Sequence, residues 1–174
     1  MIKKHIIIEM ETDYGSIYVK LFVKEVHTTC NNFLRYIDEN RYKDFHFHRT
    51  VTMSNQPMSN IKMEVIQGGL GFEKHPMKLP PILHEKTNAT EIKHINGTIS
   101  MARIEPGSAS SEIFICINDQ PELNYGRRRN IDGQGFAAFG KVIKVLNVVK
   151  VIHYLPEKDQ FLNKEVKVNS IYRI

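Results

Sequence analysis

The sequence lacks the long apolar runs and the leader pattern that mark membrane or secreted proteins. Its longest apolar stretches, such as Ile6-Ile7-Ile8, are far shorter than the roughly 20 residues that span a bilayer. The N-terminal residues 1–5 contain no apolar signal core followed by a small-residue cleavage site. We therefore expect a cytoplasmic protein, with a periplasmic location as the alternative if a signal peptide has been removed.

Cysteine is scarce as well. The two cysteines, Cys30 and Cys116, fall inside apolar segments and are too far apart for a metal motif or a disulfide framework, so both are predicted to be reduced core residues. His46 and His48 lie two residues apart on a predicted strand, but no further ligand follows at a convincing spacing. No metal site is predicted.

The excess of positive charge is small, with 24 basic and 19 acidic residues and a net charge of +5. The densest basic run, Arg127-Arg128-Arg129, is predicted to be a solvated loop, since no aromatic residues interleave with basic ones over a long surface segment. Neither nucleic acid nor a membrane is expected as a partner. The length of 174 residues fits one domain over residues 1–174, which we expect to be a monomer.

Two segments carry apolar residues at helical spacing and predict helices at about 29–39 and 145–153. The apolar stripes are Cys30, Phe33, Leu34 and Ile37 in the first segment and Val145, Val148, Val149 and Ile152 in the second. The hydroxyl of Thr28 or Thr29 is predicted to cap the first helix, and Asn40 is predicted to end it.

Short segments of β-branched and aromatic residues, separated by turn signals, dominate the rest of the chain. Eight strands are predicted, at 5–11, 17–22, 45–51, 63–67, 98–102, 113–117, 136–143 and 166–174. The polar segments 52–62, 71–93 and 121–134 are predicted loops. Many short strands with two helices favour a mostly β closed barrel or a sandwich, and one early and one late helix suit two caps on a barrel.

The run Gly68-Gly69-Leu70-Gly71 resembles a phosphate loop, but no helix is predicted after it, so the motif is weak. A subtler pattern comes from strand alternation, which places residues two apart on one face. Three pairs combine a polar with an apolar side chain: Phe47 with Arg49, Val65 with Gln67, and Glu112 with Phe114. Neighbouring strands would then form an apolar floor beside a fixed guanidinium; the alternative is that the apolar members are core and Arg49 is a surface charge.

Several motifs, in order, resemble those of the cyclophilins, and the resemblance extends from about residue 6 to the C-terminus. They are Phe47-His48-Arg49, Gln67-Gly68-Gly69, Ser100-Met101-Ala102, Phe114-Ile115 and Phe139-Gly140-Lys141-Val142. Ala109-Ser110-Ser111-Glu112 and the segment 117–123 are similar to bacterial members. The resemblance implies an eight-stranded antiparallel barrel capped by two helices. It further implies a peptidyl-prolyl cis–trans isomerase that needs no cofactor and acts on proline-containing peptides and unfolded proteins.

The same resemblance implies site residues. Arg49 matches the catalytic arginine, and Gln67 matches a glutamine that helps to hold it. The implied substrate-binding residues are His48, Phe47, Val65, Gln67, Ala102, Arg103, Ile104, Glu112, Phe114, Leu123 and Phe136.

Some of these positions depart from the family pattern. The departures are Glu64 for a pocket phenylalanine, Val65 for methionine, Arg103 for asparagine, Ile104 for a small residue, Glu112 for glutamine and Phe136 for histidine. Glu112 is expected to pair with Arg49 and to slow the enzyme. The alternative function is a proline-peptide binding module or chaperone with weak or no isomerase activity.

Overall fold

The computed structural model describes residues 5–144 and 146–174, and its central element is a closed barrel of eight antiparallel strands. The strands are β1 (Ile6–Thr12), β2 (Gly15–Leu21), β3 (His46–Val51), β4 (Val65–Gly69), β5 (Thr98–Met101), β6 (Ile113–Cys116), β7 (Ala137–Ile143), the two-residue β8 (Glu157–Lys158) and β9 (Phe161–Arg173). Around the barrel the order is β1-β2-β7-β5-β6-β4-β3-β9, and β9 closes it by pairing with β1 as well as β3. β8 pairs with β9 alone, as one arm of a hairpin outside the eight.

The predicted mostly β barrel with two capping helices is confirmed. The helices are α1 (His27–Asp38), α2 (Thr87–Thr90) and α3 (Asn147–His153). α1 packs on β7 and β9, while α3 packs on β2, β3 and β4. Val145, predicted to begin the second stripe, lies outside the described residues. The short α2 and a 3-10 turn at Pro121–Leu123 were not predicted. No helix within the described ranges is long and apolar enough to cross a membrane.

The start of α1 differs from its prediction. Its N-cap residue is Val26, whose side chain makes no capping bond. Oε1 of Glu85 instead accepts hydrogen bonds from the Thr29 backbone N–H at 2.6 Å and from the Thr29 hydroxyl at 2.7 Å. A carboxylate suits this place because the first helical N–H groups lack partners and carry partial positive charge. At the other end Asn40 takes the left-handed φ of 53°, which confirms it as the stop.

The inner faces of the strands form the main core together with the buried face of α1. Its largest buried side chains are Phe33, Tyr36, Phe45, Phe47, Phe139, Ile8, Met10, Ile17, Leu21, Ile66, Ile99 and Met101. Cys30 and Cys116 are buried free thiols, as predicted. Burial raises the pKa of Cys30 to about 12, and burial raises that of Cys116 as well, so neither thiol is a reactive thiolate at neutral pH.

A second apolar cluster lies apart from the barrel interior. It consists of Val51, Met63, Val65, Ala102, Phe114, Cys116 and Leu123, with Phe136 packed against it. Strand alternation explains the separation, because Val65 and Gln67 on β4 face outward while Ile66 between them belongs to the interior core. The outer faces of β3, β4 and β6 therefore form the floor on which the candidate site is built.

Candidate functional site

The outer cluster is an apolar, aromatic-rich group of side chains beside Gln67, and the surface over it is called the apolar pocket below. The rings of Phe114 and Phe136 meet edge to face, with centroids 5.1 Å apart at 81°. The buried His94 ring stacks on Phe114 with centroids 5.8 Å apart. The predicted residues that the structure brings together here are Val65, Ala102, Phe114, Leu123 and Phe136.

His94 supports this floor from behind through two polar contacts. Oδ1 of Asn124 lies 2.8 Å from Nδ1 and also accepts the His94 backbone N–H, and the Ser100 hydroxyl lies 2.8 Å from Nε2. Because Oδ1 is an acceptor, Nδ1 carries the proton and Nε2 accepts from Ser100. Burial lowers the pKa of His94 to about 4, so the ring is neutral at physiological pH.

Arg49 lies at the edge of the pocket, held by two neutral amides. Its Nη1 donates to Oε1 of Gln67 at 2.9 Å, while Nε and Nη2 both donate to Oε1 of Gln160 at 3.1 and 2.5 Å. Burial, and secondarily the charge of Arg129, lowers the pKa of Arg49, although a guanidinium keeps its charge at physiological pH. Of its five N–H donors, two remain without a hydrogen-bond partner among the described residues, one on each terminal nitrogen.

A β-bulge at His48 determines which side chains of β3 reach the site. Phe47 pairs with Gly68 and Arg49 pairs with Gln67, so two residues of β3 span a single step of β4. The prediction that Phe47 and Arg49 share a face is therefore wrong, and so is the assignment of Phe47 to substrate binding. Phe47 has 0% of its surface exposed and belongs to the interior core.

Glu112 is the buried anion of the site, with 2% of its surface exposed. Its Oε1 lies 2.5 Å from Nε2 of His48 and 3.4 Å from Nε2 of Gln67, and its Oε2 accepts the Gly71 N–H at 3.2 Å. The expected pairing of Glu112 with Arg49 is wrong, because the two residues meet only through Gln67. The carboxylate thus takes no donor from the guanidinium.

The glycines at 68–71, which resemble a phosphate loop in sequence, lie against the Glu112 carboxylate. A Cβ at Gly69 would lie 1.9 Å from Oε2 of Glu112, and the Gly69 φ of 148° further disfavours any side chain. Two residues on, Gly71 supplies the backbone donor described above. The glycines therefore make room for a buried side chain and satisfy it, which explains the motif without a phosphate.

Glu64 does not occupy the pocket. Its Oε1 accepts from Nδ2 of Asn118 at 3.1 Å, and its Oε2 lies 3.5 Å from Nε2 of His153, under α3. Met63, one residue earlier, is buried in the apolar cluster instead. The charge that Glu64 was expected to bring to the pocket is therefore absent from its described lining.

Arg103 and Arg129 each connect two loops through hydrogen bonds, and neither side chain is free in the groove. Arg103 is buried, pairs with both carboxylate oxygens of Asp132 at 2.9 and 3.0 Å, donates to the Gly135 carbonyl, and lies 5.2 Å from the Phe136 ring centre. It thus fixes the pocket wall, while its neighbour Ile104 is 76% exposed at the rim.

The prediction that the basic run 127–129 is a solvated loop is wrong at Arg129, which makes hydrogen bonds within the protein. Its Nη1 donates to the Ser59 hydroxyl at 2.8 Å and to the Ile61 carbonyl at 2.5 Å, which ties the 121–134 loop to the 52–62 loop. Arg127 and Arg128 are exposed, as expected. The two loops beside the pocket are therefore held to one another.

Comparison with known proteins agrees with this geometry. Residues 7–173 match the family model described as cyclophilin type peptidyl-prolyl cis-trans isomerase/CLD. A peptidyl-prolyl cis-trans isomerase of Acinetobacter baylyi is 34% identical over 163 residues, which cover 91% of this chain and 78% of the relative. Peptidyl-prolyl cis-trans isomerase B of Escherichia coli is 33% identical over 149 residues, which cover 83% of this chain and 82% of that protein.

Solved structures of a cyclophilin type isomerase from Cryptosporidium parvum share the fold. One gives a TM-score of 0.73 at 23% identity and covers 98% of both chains. The other, in the presence of the dipeptide Ala-Pro, gives a TM-score of 0.72 at 25% identity and covers 95% of this chain and 96% of that chain. The closed barrel and these structural neighbours place the chain in the class of cyclophilin-like folds. The chain belongs to the cyclophilin-type peptidyl-prolyl cis–trans isomerases, and it is an enzyme that catalyses rotation about X–Pro bonds.

Sequence reasoning missed three residues of the site. Met63 was predicted to lie in a strand but was given no role in the site. It is apolar and precedes Val65 by two positions, which could have indicated that both side chains lie on the same face. His94 and Gln160 lie in segments without periodicity, far along the chain from the groups they contact. No local pattern marks either of them.

The contacts of Glu112 predict that Glu112→Gln does not accelerate the enzyme. The neutral amide would place an N–H donor near the Gly71 N–H or near His48, and the three hydrogen bonds to the carboxylate would lose their charge assistance. We expect kcat/KM on an X–Pro peptide to be equal to wild type or lower, and the free energy of unfolding in urea to fall by about 1–3 kcal/mol. An increase in kcat/KM at matched salt would contradict this account.

The buried His94 predicts an acid-sensitive fold. In the unfolded chain this histidine binds a proton below its ordinary pKa of 6.5, whereas in the folded chain it stays neutral down to about 4. Stability contributed by the neutral ring is therefore complete above about pH 6.5 and is lost as the pH falls toward 4, by about 2–3 kcal/mol. Urea unfolding across this range should show a weaker pH dependence for His94→Gln; an unchanged slope would show that His94 is not the titrating group.

Proposed function

We propose that Arg49 is the catalytic group of this isomerase and that the adjoining apolar pocket binds the proline ring. An X–Pro amide rotates slowly, with a barrier of about 20 kcal/mol, because rotation breaks the resonance of the bond. In the twisted state the prolyl nitrogen becomes pyramidal and gains a lone pair. The two N–H groups of Arg49 that remain available can donate to the substrate there.

The observation that carries the proposal is the way in which Arg49 is held. Gln67 and Gln160 accept its hydrogen bonds as neutral amides, so they fix the guanidinium without cancelling its charge. Partial burial strengthens the interaction of that charge with a nearby lone pair. A preorganised cation beside a dry pocket favours the twisted amide over the planar one.

Arg49 supplies part of the acceleration. A charge-assisted hydrogen bond is worth about 1.5–3 kcal/mol, which corresponds to roughly ten- to a hundredfold in rate. The remainder is assigned to the apolar pocket of Phe114, Leu123 and Phe136, which removes water from the proline ring and binds the twisted form preferentially.

The alternative of a binding module with little turnover rested on Glu64 and Glu112. Neither residue contacts Arg49, and Glu64 points away from the pocket. The remaining groove positions, His48, Ala102 and Ile104, are proposed to contact the peptide on either side of the proline. These placements favour catalysis over simple binding.

We further propose that the substrates include unfolded chains. Isomers of X–Pro bonds interconvert freely in disordered segments, whereas folded structure normally locks one isomer. The Cryptosporidium parvum neighbour was solved with the dipeptide Ala-Pro, which supports recognition of proline by few flanking residues. An extended segment is the form that brings an X–Pro bond to an open groove.

A monomeric cytoplasmic enzyme that binds neither nucleic acid nor membranes is also proposed. Burial of both thiols without a disulfide fits a reducing compartment, and the engagement of Arg129 leaves a shorter exposed basic run. Size-exclusion chromatography with light scattering should give a mass near 20.2 kDa. A mass near twice this value, or retardation of single-stranded RNA at physiological salt, would contradict the respective proposals.

The catalytic assignment predicts the effect of Arg49→Ala. Loss of the guanidinium should lower kcat/KM for an X–Pro peptide roughly ten- to a hundredfold, while thermal melting stays cooperative because Arg49 fills no part of the core. Exchange spectroscopy by NMR measures the rate directly. Arg128→Ala, which removes an exposed arginine of the 121–134 loop, is the matched control. Rates within about twofold of wild type for Arg49→Ala would refute the assignment.

A further inference from the structure

Gln160 lies in the hairpin turn between β8 and β9, more than a hundred residues from Arg49 in sequence. Asp159 and Gln160 have φ values of 53° and 74°, so two successive residues other than glycine take left-handed conformations. That pattern belongs to tight two-residue hairpin turns. The turn is anchored by the Gln160 N–H, which donates to Oε2 of Glu157 at 2.7 Å, and by the Gln160 carbonyl, which accepts the Thr50 N–H at 2.9 Å.

The side-chain amide of Gln160 has a defined orientation. Its Nε2 donates to the Asn55 carbonyl at 3.0 Å, which turns Oε1 toward Arg49. Oε1 then accepts from Nε and Nη2 of the guanidinium. Because Nε2 has a carbonyl as its partner, a flipped amide would set two acceptors against one another and two donors against one another.

Asn55 is fixed in its turn by the start of the 52–62 loop. Its Oδ1 accepts the Thr52 N–H at 2.8 Å, and its Nδ2 donates to the Thr50 carbonyl at 3.0 Å. Thr50 directly follows Arg49 on β3. A closed set of contacts therefore runs from the loop through Gln160 to the guanidinium.

We propose that Gln160 is a positioning residue for catalysis and that it acts through Arg49. Gln67 holds the guanidinium at Nη1 alone, and one hydrogen bond leaves the long side chain free to swing about that contact. The two contacts from Gln160 fix the opposite edge, at Nε and Nη2, so that the plane of the group is set. The inference rests on the proposed catalytic role of Arg49.

The positioning role also depends on the fact that the Gln160 side chain is uncharged. A carboxylate in its place would also hold a guanidinium, but it would oppose the positive charge that the twisted amide needs. An amide holds the group and leaves the charge available. The same chemistry appears at Gln67 on the other edge.

The test is a double-mutant cycle on turnover. Gln160→Ala is made in the wild-type and Arg49→Ala proteins, with Asn163→Ala, an exposed amide on the same hairpin, as the matched control. In the wild-type background Gln160→Ala should lower kcat roughly tenfold and leave KM within about twofold, as expected for a group that improves the transition state alone. In the Arg49→Ala background it should cause no further loss.

A structural role would give a different result. If Gln160 merely stabilised the hairpin, the substitution would lower the rate by the same factor in both backgrounds, or would act like Asn163→Ala. Either outcome overturns the proposal. Gln160→Met, which keeps the length of the side chain without its acceptor, gives the same readout if Gln160→Ala does not fold.

The cycle also separates the two proposals. If the Arg49→Ala protein turns over at the wild-type rate, both the catalytic role of Arg49 and the positioning role of Gln160 are refuted. A large loss in Arg49→Ala combined with none in Gln160→Ala would remove the positioning role alone. Peptide affinity, measured by calorimetry, should stay within about twofold in Gln160→Ala.

Discussion

The site depends on the burial of one carboxylate, that of Glu112. A buried charge is costly unless hydrogen bonds compensate it, and here three donors from separate segments do so. One of them, Gln67, then presents its carbonyl oxygen to Arg49. The requirement also explains the glycine at position 69, where any Cβ would collide with the carboxylate. The sequence suggested that this carboxylate would pair with Arg49; in the structure it contacts Gln67, which in turn accepts a hydrogen bond from Arg49.

The barrel was predictable because its signals are local. Alternation marked the strands, and apolar stripes at helical spacing marked α1 and α3. The capping of α1 was not predictable, since its partner Glu85 lies 56 residues away. Turns as short as that between β8 and β9, which contain no glycine, carry no signal that separates them from other polar segments.

Part of the arrangement of the candidate site was predictable from the sequence, and part was not. Arg49, Gln67 and Phe114 meet as expected, because the strands that carry them are neighbours. Phe47 was misplaced because a bulge inserts one residue and shifts the alternation after it. Glu64 was misplaced because its partners, Asn118 and His153, lie 54 and 89 residues away in sequence. Side-chain partners across the chain, such as His94 with Asn124, leave no trace in a single sequence.

The closure of the barrel by its last strand has a consequence for how the chain acquires activity. β9 supplies neighbours to both β3 and β1, and the turn just before it carries Gln160. Until residues 157–173 have left the ribosome, β1 and β3 each keep an unpaired edge, and the Arg49 guanidinium lacks its two hydrogen bonds to Gln160. Pairing across almost the full length of the chain also makes folding slow relative to local structures. The hydrogen bonds that hold Arg49 are therefore complete only after the segment 157–173 has been synthesised and has paired with the barrel.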